Sequence, residues 1–402
     1  MTPSSPAAPD LPAFRRSRLT WLCYAMLGWY AYLQASVNPA MPFLRADLGL
    51  SYTLASLHAS AFALGMIIAG LTGDRIGAAL GTRRVFWGGS AGMIAGMLLF
   101  TGGQTPLLTI AGTFLMGTIG SLCMIMVQIT LINIHEHYSP IALTESNIVA
   151  SLTASLIPVT IGAFERSGAG WRWALLAAVA VWGALFLTQR AAAFPPVKRL
   201  KRQQAAGRLP MLFWLYLGVL FLAVAAEWGV WLWAADYFIS RLQLEPAAAA
   251  PLVSFFTVGA VTGRIISSRL LRVYRPPLLI PITLILVFAG FPLFWLGTAA
   301  PVNVLGLFLL GWGAASLFPL GLAAATSAAG NQSNKASARV TIASGSAILL
   351  CPAFLGVLAD AFGIQQAYLI VPALALGAMA LALVGYRLSS QTAEPQATGR
   401  SA

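Results

Sequence analysis

Gly70-Leu71-Thr72-Gly73-Asp74-Arg75-Ile76-Gly77, followed by Arg83-Arg84, lies between two apolar runs at residues 51–73 and 84–101. Each run approaches the roughly 20 residues that a helix needs to cross a bilayer. Asp74 and Arg75 therefore fall where a helix leaves hydrocarbon, the depth at which charge is tolerated. Gly70 and Gly73 leave room for a neighbouring helix, and Gly77 permits a sharp reversal of the chain. The stretch reads as a charged hairpin at a membrane surface, with a plain solvated turn that caps a helix as the alternative.

Composition supports the membrane. Of 402 residues, 58% are hydrophobic and 9% are charged, against roughly a quarter charged in soluble domains. Apolar runs long enough to span recur at residues 20–42, 51–73, 84–101, 106–133, 142–163, 172–190, 211–238, 248–270, 277–298, 302–327, 339–360 and 366–387. With both termini inside, only Arg45, Arg166, Arg172 and Arg241 of the 24 basic residues fall outside, the bias expected of cytoplasmic loops. The net charge of +13 then reflects that bias and attraction to anionic membrane lipids, and no nucleic-acid partner is expected. Cys23, Cys123 and Cys351 all sit in apolar runs, so no disulfide framework is expected.

Residues 191–210, with Pro195-Pro196 and Lys198-Arg199-Leu200-Lys201-Arg202, are the longest polar interruption. They read as a cytoplasmic basic linker between six-helix halves at 19–190 and 211–388, with short tails at 1–18 and 389–402. Sliding the sequence on itself by 194 residues supports the division. Ser60 to Gly65 meets Ser254 to Gly259, Arg75 meets Arg269, Phe114, Leu115 and Gly117 meet Phe308, Leu309 and Gly311, and Pro158 and Gly162 meet Pro352 and Gly356.

Gly70, Asp74, Arg75 and Gly77 match, position for position, the G-x-x-x-D-R-x-G loop between the second and third helices of the major facilitator superfamily of secondary transporters, which this sequence resembles. The family's loop runs directly into basic residues, whereas here residues 78–82 intervene before Arg83 and Arg84. The resemblance implies an all-α integral membrane protein of 12 transmembrane helices in two pseudo-symmetric six-helix bundles, both termini cytoplasmic. It also implies that the first, second, fourth and fifth helices of each half line a central cavity and that the third and sixth face lipid.

Polar residues within the spans are the site candidates. Tyr30, Gln34 and Asn38, spaced four apart, form a stripe on one face of the first span. Gln128 lies within the fourth span; for Gln and Asn, interhelical hydrogen bonding competes with substrate contact. Glu227 lies near the middle of the seventh span with no basic residue within a helical turn. Such a carboxylate is paired across helices, faces water, or carries a proton, and it is the leading proton-coupling candidate. Its structural alternative is a buried ion pair with Arg264, which could instead bind an anionic substrate. Trp228 and Trp231 offer flat faces suited to a sugar ring, an aromatic group or an organic cation. His58 is the second titratable candidate, although a packed, hydrogen-bonded histidine is the commoner case. His135-Glu136-His137 has metal-ligand spacing but no second cluster, so no metal site is expected. Glu145 and Arg339, related by the same shift of 194 residues, could pair as an inner gate. Asp74 is expected to meet the N-terminus of the eleventh span near Lys335 to Thr341.

No intramembrane catalytic constellation and no nucleotide-binding loop is present, so neither an enzyme nor an ATP-driven pump is expected, and no cofactor is implied. The remaining class is a gradient-driven carrier of a small-molecule substrate in a cell membrane, the bacterial inner membrane, acting as a monomer. The fifth span has Pro158-x-x-x-Gly162 and lacks the Gly-Pro-x-x-Gly-Gly element of the superfamily's drug–proton exchangers. That favours uptake by proton symport over the alternatives, export of amphipathic compounds in exchange for protons or organic-anion carriage through Arg264.

Overall fold

The computed structural model describes residues 14–195, 208–271 and 273–391; the basic run from Lys198 to Arg202 lies outside them. The described residues form twelve long helices and no strand: α1 (Arg18–Leu48), α2 (Tyr52–Leu80), α3 (Thr82–Gly102), α4 (Pro106–His135), α5 (Ser139–Arg166), α6 (Arg172–Gln189), α7 (Met211–Leu242), α8 (Pro246–Leu270), α9 (Pro276–Leu296), α10 (Ala300–Ala329), α11 (Ser333–Phe362) and α12 (Ile364–Ser389). All but α1 are long and apolar enough by composition to cross a membrane. α1 has the length but carries polar groups such as Gln34, Ser36 and Asn38, and it is buried without a break from Ala35 to Leu44. A helix walled in by protein needs less apolar surface than one facing lipid.

Helix ends follow local chemistry. Ser17 and Thr20 form a reciprocal capping box at the start of α1, and Gly49 ends it at φ 63°. Ser51 accepts a hydrogen bond from Leu54 N at the start of α2. The charged stretch corrects the expected hairpin: Gly70 to Gly77 stay helical, and the reversal falls at Gly81, whose φ is 85°. An Asp-Arg pair favours leaving hydrocarbon but does not break a helix, so α2 runs on past the apolar run. Gly73 does admit a neighbour, since a Cβ there would lie 2.9 Å from Ile125 on α4, whereas Gly70 faces open space.

The packing repeats at the shift that aligns the sequence. A Cβ on Gly117 would overlap the carbonyl of Phe62, and one on Gly311 would overlap that of Phe256, their partners at a shift of 194. Gly65 and Gly259 likewise press against the backbones that follow Phe114 and Phe308. A Cβ on Gly96 or Gly112 would lie 2.6 Å from the other's carbonyl, so the pair brings α3 onto α4, and Gly290 and Gly306, at 2.8 and 2.7 Å by the same measure, do so for α9 and α10. With no side chain between them, the backbones meet, the usual means of tight helix association in a membrane. One turn of π-helix, Met116–Gly120, surrounds the contact at Gly117 in α4.

α7 is the hub of the last six helices, touching α10, α11 and α12, while α1 rests on α5 and α6 in the first six. The two sets meet along α2 with α11, α5 with α8, and α1 with α7. Gly117→Ala and Gly311→Ala should each lower the thermal unfolding midpoint of the purified protein, at a cost of about 1–3 kcal/mol for forced overpacking. Gly70→Ala, which meets nothing, should leave the midpoint unchanged or slightly raised.

Candidate functional site

A cavity of about 310 Å³ lies between the two sets of helices. Its wall takes Gln34 from α1, Ser151 and Ala154 from α5, Glu227, Trp228 and Trp231 from α7, Arg264 from α8, Phe318 from α10 and Ser344 from α11. Five sequence candidates therefore converge: Gln34, Glu227, Trp228, Trp231 and Arg264. The two tryptophans stand edge to face with ring centres 5.1 Å apart.

Arg264 Nη2 donates to Glu227 Oε1 at 3.1 Å, and Arg264 Nε donates to Ala315 O at 3.4 Å. Glu227 thus makes the interhelical ion pair with Arg264 that stood as the structural alternative to a lone proton site. The two partners are unequal: the Glu227 side chain is 12% exposed and that of Arg264 is 47% exposed.

The other sequence candidates lie elsewhere. Tyr30 is buried and shares a 2.8 Å hydrogen bond with Ser121 on α4, so it braces α1 rather than lining the cavity. Asn38 is buried with its Nδ2 unpartnered and does not line the cavity. A stripe at four-residue spacing drifts by about 40° per step on a helix of 3.6 residues per turn, which turns its two ends away from Gln34. Gln128 is partly buried on α4 and is also absent from the cavity wall. His58 is fully buried, with Nε2 2.8 Å from Thr109 Oγ1 and Nδ1 3.0 Å from Ala55 O. It holds α2 to α4 and does not line the cavity.

The expected gate pair is not formed in this state. Glu145 accepts from Arg16 through both oxygens, at 2.5 and 2.8 Å, and from Tyr24 Oη at 2.9 Å, while Arg339 is exposed. Asp74 and Arg75 are likewise exposed at that end. Among the described residues, the hydrogen bonds and ion pairs between the first six helices and the last six gather toward the opposite end. There Asp360 on α11 accepts from the N–H groups of Tyr52 and Thr53, both at 2.8 Å, at the start of α2. Ser60 donates to Leu349 O at 2.7 Å, and Ser254 donates to Ser155 O at 3.3 Å.

Arg45 forms an ion pair with the buried Asp236 on α7, and its guanidinium lies 3.5 Å from the centre of the Tyr52 ring. Tyr52 in turn packs edge to face on Trp233 at 5.1 Å. Sequence reading missed Asp236 and Asp360. The available signal was a second acid on α7, nine residues after Glu227, and an acid in the last turn of α11. Among the described residues, the helix N-terminus captured by an acid of the other half is that of α2. The molecule is closed at the end that carries Arg45 and Asp360.

Two expected outcomes follow from this geometry. Arg264→Gln leaves the Glu227 carboxylate buried without its partner and should cost about 1–3 kcal/mol, reduced from the fully buried case because Arg264 is half-exposed. Adding Glu227→Gln to Arg264→Gln should recover most of the loss in a thermal unfolding cycle, and strictly additive losses would show that the pair is not coupled. Asp360→Asn removes a charge from the N-terminus of α2, worth about 1 kcal/mol. It should widen the distance distribution between spin labels at Leu54 and Phe362; an unchanged distribution would show that the cap does not hold the closed end.

The Major Facilitator Superfamily pattern matches residues 20–311. No curated protein matches the chain significantly. Among solved structures, the chain is similar to a bacterial homolog of the human lysosomal transporter Spinster in an inward-facing, unoccupied conformation, with TM-score 0.74 and 14% identity over 94% of this chain and 98% of that one. It is similar to a D-xylose–proton symporter, with TM-score 0.71 and 16% identity over 92% and 97%. It is also similar to the human organic anion transporter MFSD10 (TETRAN), with TM-score 0.65 and 16% identity over 92% and 100%. At such identities the likeness is one of fold. The matched signature covers most of the chain and the helices pack as in these transporters, so the protein is a multi-pass membrane protein, not an enzyme, and belongs to the major facilitator superfamily.

Proposed function

We propose that this protein is a secondary active transporter that moves a small organic solute across the bacterial inner membrane by alternating access, with uptake coupled to protons. Its twelve helices all span, both termini lie in the cytoplasm, and the halves at 19–190 and 211–388 rock about the cavity as two pseudo-symmetric bundles. The observation that carries this reading is the position of the cavity. It lies between the two sets of helices, holds the Glu227–Arg264 pair in its wall, and the bonds across it among the described residues gather toward one end. A carrier needs one site reached from either side in turn, and contacts that hold the two sets together at one end are part of such a cycle.

With the positive-inside orientation, the closed end is the outer one and the structure is the inward-facing state. In the opposite state the exposed Asp74 and Arg75 would close the inner end against α11, with Arg339 near the same contact; Gly70 and Gly77 belong to that signature. Glu227 is the proton-binding group, because protonation dissolves its pairing with Arg264 and so changes what holds α7 to α8. No cofactor enters the cycle, and the monomer suffices. The aromatic wall formed by Trp228, Trp231, Phe256 and Phe318 also fits the alternative of an exporter of amphipathic compounds in exchange for protons.

Spin labels at Leu71 with Ile342, and in a second preparation at Leu54 with Phe362, test both rocking and coupling without a known substrate. The two distances should change in opposite senses between acidic and neutral buffer. In Glu227→Gln, which mimics the protonated acid, they should stay at their acidic values in both. Distances that never change would overturn the carrier cycle, and a pH response that survives Glu227→Gln would place the coupling group elsewhere.

A further inference from the structure

Resting on the carrier reading, we propose that the cavity selects an organic anion: a carboxylate on a flat apolar body, with the carboxylate received by Arg264. The two charges in the wall are unequally presented. Glu227 is 12% exposed and Arg264 is 47% exposed, so the guanidinium offers a solute far more surface than the carboxylate does. A guanidinium carries five N–H donors in a planar fork that matches a carboxylate edge to edge. Two bonds engage the fork here, to Glu227 Oε1 and Ala315 O, and the remaining donors have no acceptor among the described residues.

The remainder of the wall specifies the body. Trp228, Trp231, Phe256 and Phe318, with Val224 and Val261, surround the space beside Arg264. The neutral polar side chains are Gln34, Ser151, Thr257 and Ser344, and the Ser344 hydroxyl is already donated to Val340 O at 2.9 Å. A sugar brings a hydroxyl on nearly every carbon, and each one left unpaired against an aromatic wall carries a desolvation cost. This wall has too few partners for it. An organic cation would gain from the indole faces but would sit beside a half-exposed arginine, with the Glu227 oxygen nearest that arginine already taken. An aromatic carboxylate uses both halves of the site, ring against ring and carboxylate on fork, and about 310 Å³ accommodates a molecule of that size.

The test uses full-length protein in detergent carrying Ser151→Cys, and in a second preparation Ser344→Cys on the facing wall, with the native Cys23, Cys123 and Cys351 buried. Maleimide labelling is followed with phenylacetate, phenylacetamide or phenethylamine, which share one body and differ in the charge of the head. Phenylacetate should slow labelling about threefold once its concentration is about twice its dissociation constant, while the neutral and cationic probes should have little effect. Arg264→Lys should weaken the protection, and Arg264→Gln combined with Glu227→Gln, which leaves no lone charge, should abolish it.

Protection by phenethylamine or phenylacetamide equal to that by phenylacetate overturns the anion assignment. So does protection by phenylacetate that survives in the double variant, or no protection in protein that labels readily. Failure of both cysteine variants to label in folded protein, when both label after unfolding, is a separate result: it removes the solvent-reached cavity and with it the carrier reading as well.

Discussion

A charge inside a bilayer must be satisfied by protein or water, and the arrangement of α7 follows from that constraint. This helix carries two acids, Glu227 and Asp236, and each takes an arginine from a different helix: Arg264 on α8 and Arg45 at the end of α1. The one basic residue within α7, Arg241, donates instead to Leu296 O and Gly297 O. The helix that touches α10, α11 and α12 is thereby also tied to α1 and α8, so the packing of the last six helices and the join between the two sets depend on the same element.

The two pairs differ in a way that suits different tasks. Asp236 is 4% exposed, and Arg45 is 18% exposed beneath the rings of Tyr52 and Trp233, so water has little access to that pair and its separation requires helices to move apart. Arg264 faces a cavity, so its partner can be exchanged by a solute or lost by protonation with little displacement of backbone. A tight pair at the closed end and an adjustable one at the cavity allow contents and closure to influence each other through one rigid helix.

Closure at the Arg45 end also draws on backbone chemistry. Asp360 accepts from two free N–H groups at the start of α2, groups that every helix leaves without an internal partner. The contact crosses between halves, as do Gly356 against Tyr52 O and Gly162 against the ring of Pro251. Gly162 and Gly356 are repeat partners, and each serves the interface of its own half with the other. An internal repeat provides two equivalent seams, α5 with α8 and α11 with α2, and both are engaged in this state.

The sequence by itself determined the solvent, the helices and the repeat. Those properties are set by apolar run length, by glycine and proline positions and by charge bias, and each is local or periodic along the chain. It also singled out Glu227, Arg264, Trp228, Trp231 and Gln34, because polar and aromatic groups deep in apolar runs stand out whatever surrounds them. Only the tertiary structure decided which way those helices turn. Tyr30, Asn38 and His58 lie on the same helices as cavity or interface residues yet face inward packing, since a few tens of degrees of rotation, fixed by glycine contacts with distant segments, move a side chain from cavity to core. It likewise decided the partners: Glu227 with Arg264, Glu145 with Arg16, and Asp360 with the start of α2. Such a contact depends on tilt and depth across more than a hundred residues of intervening chain in two of these three cases, and no single segment encodes either quantity.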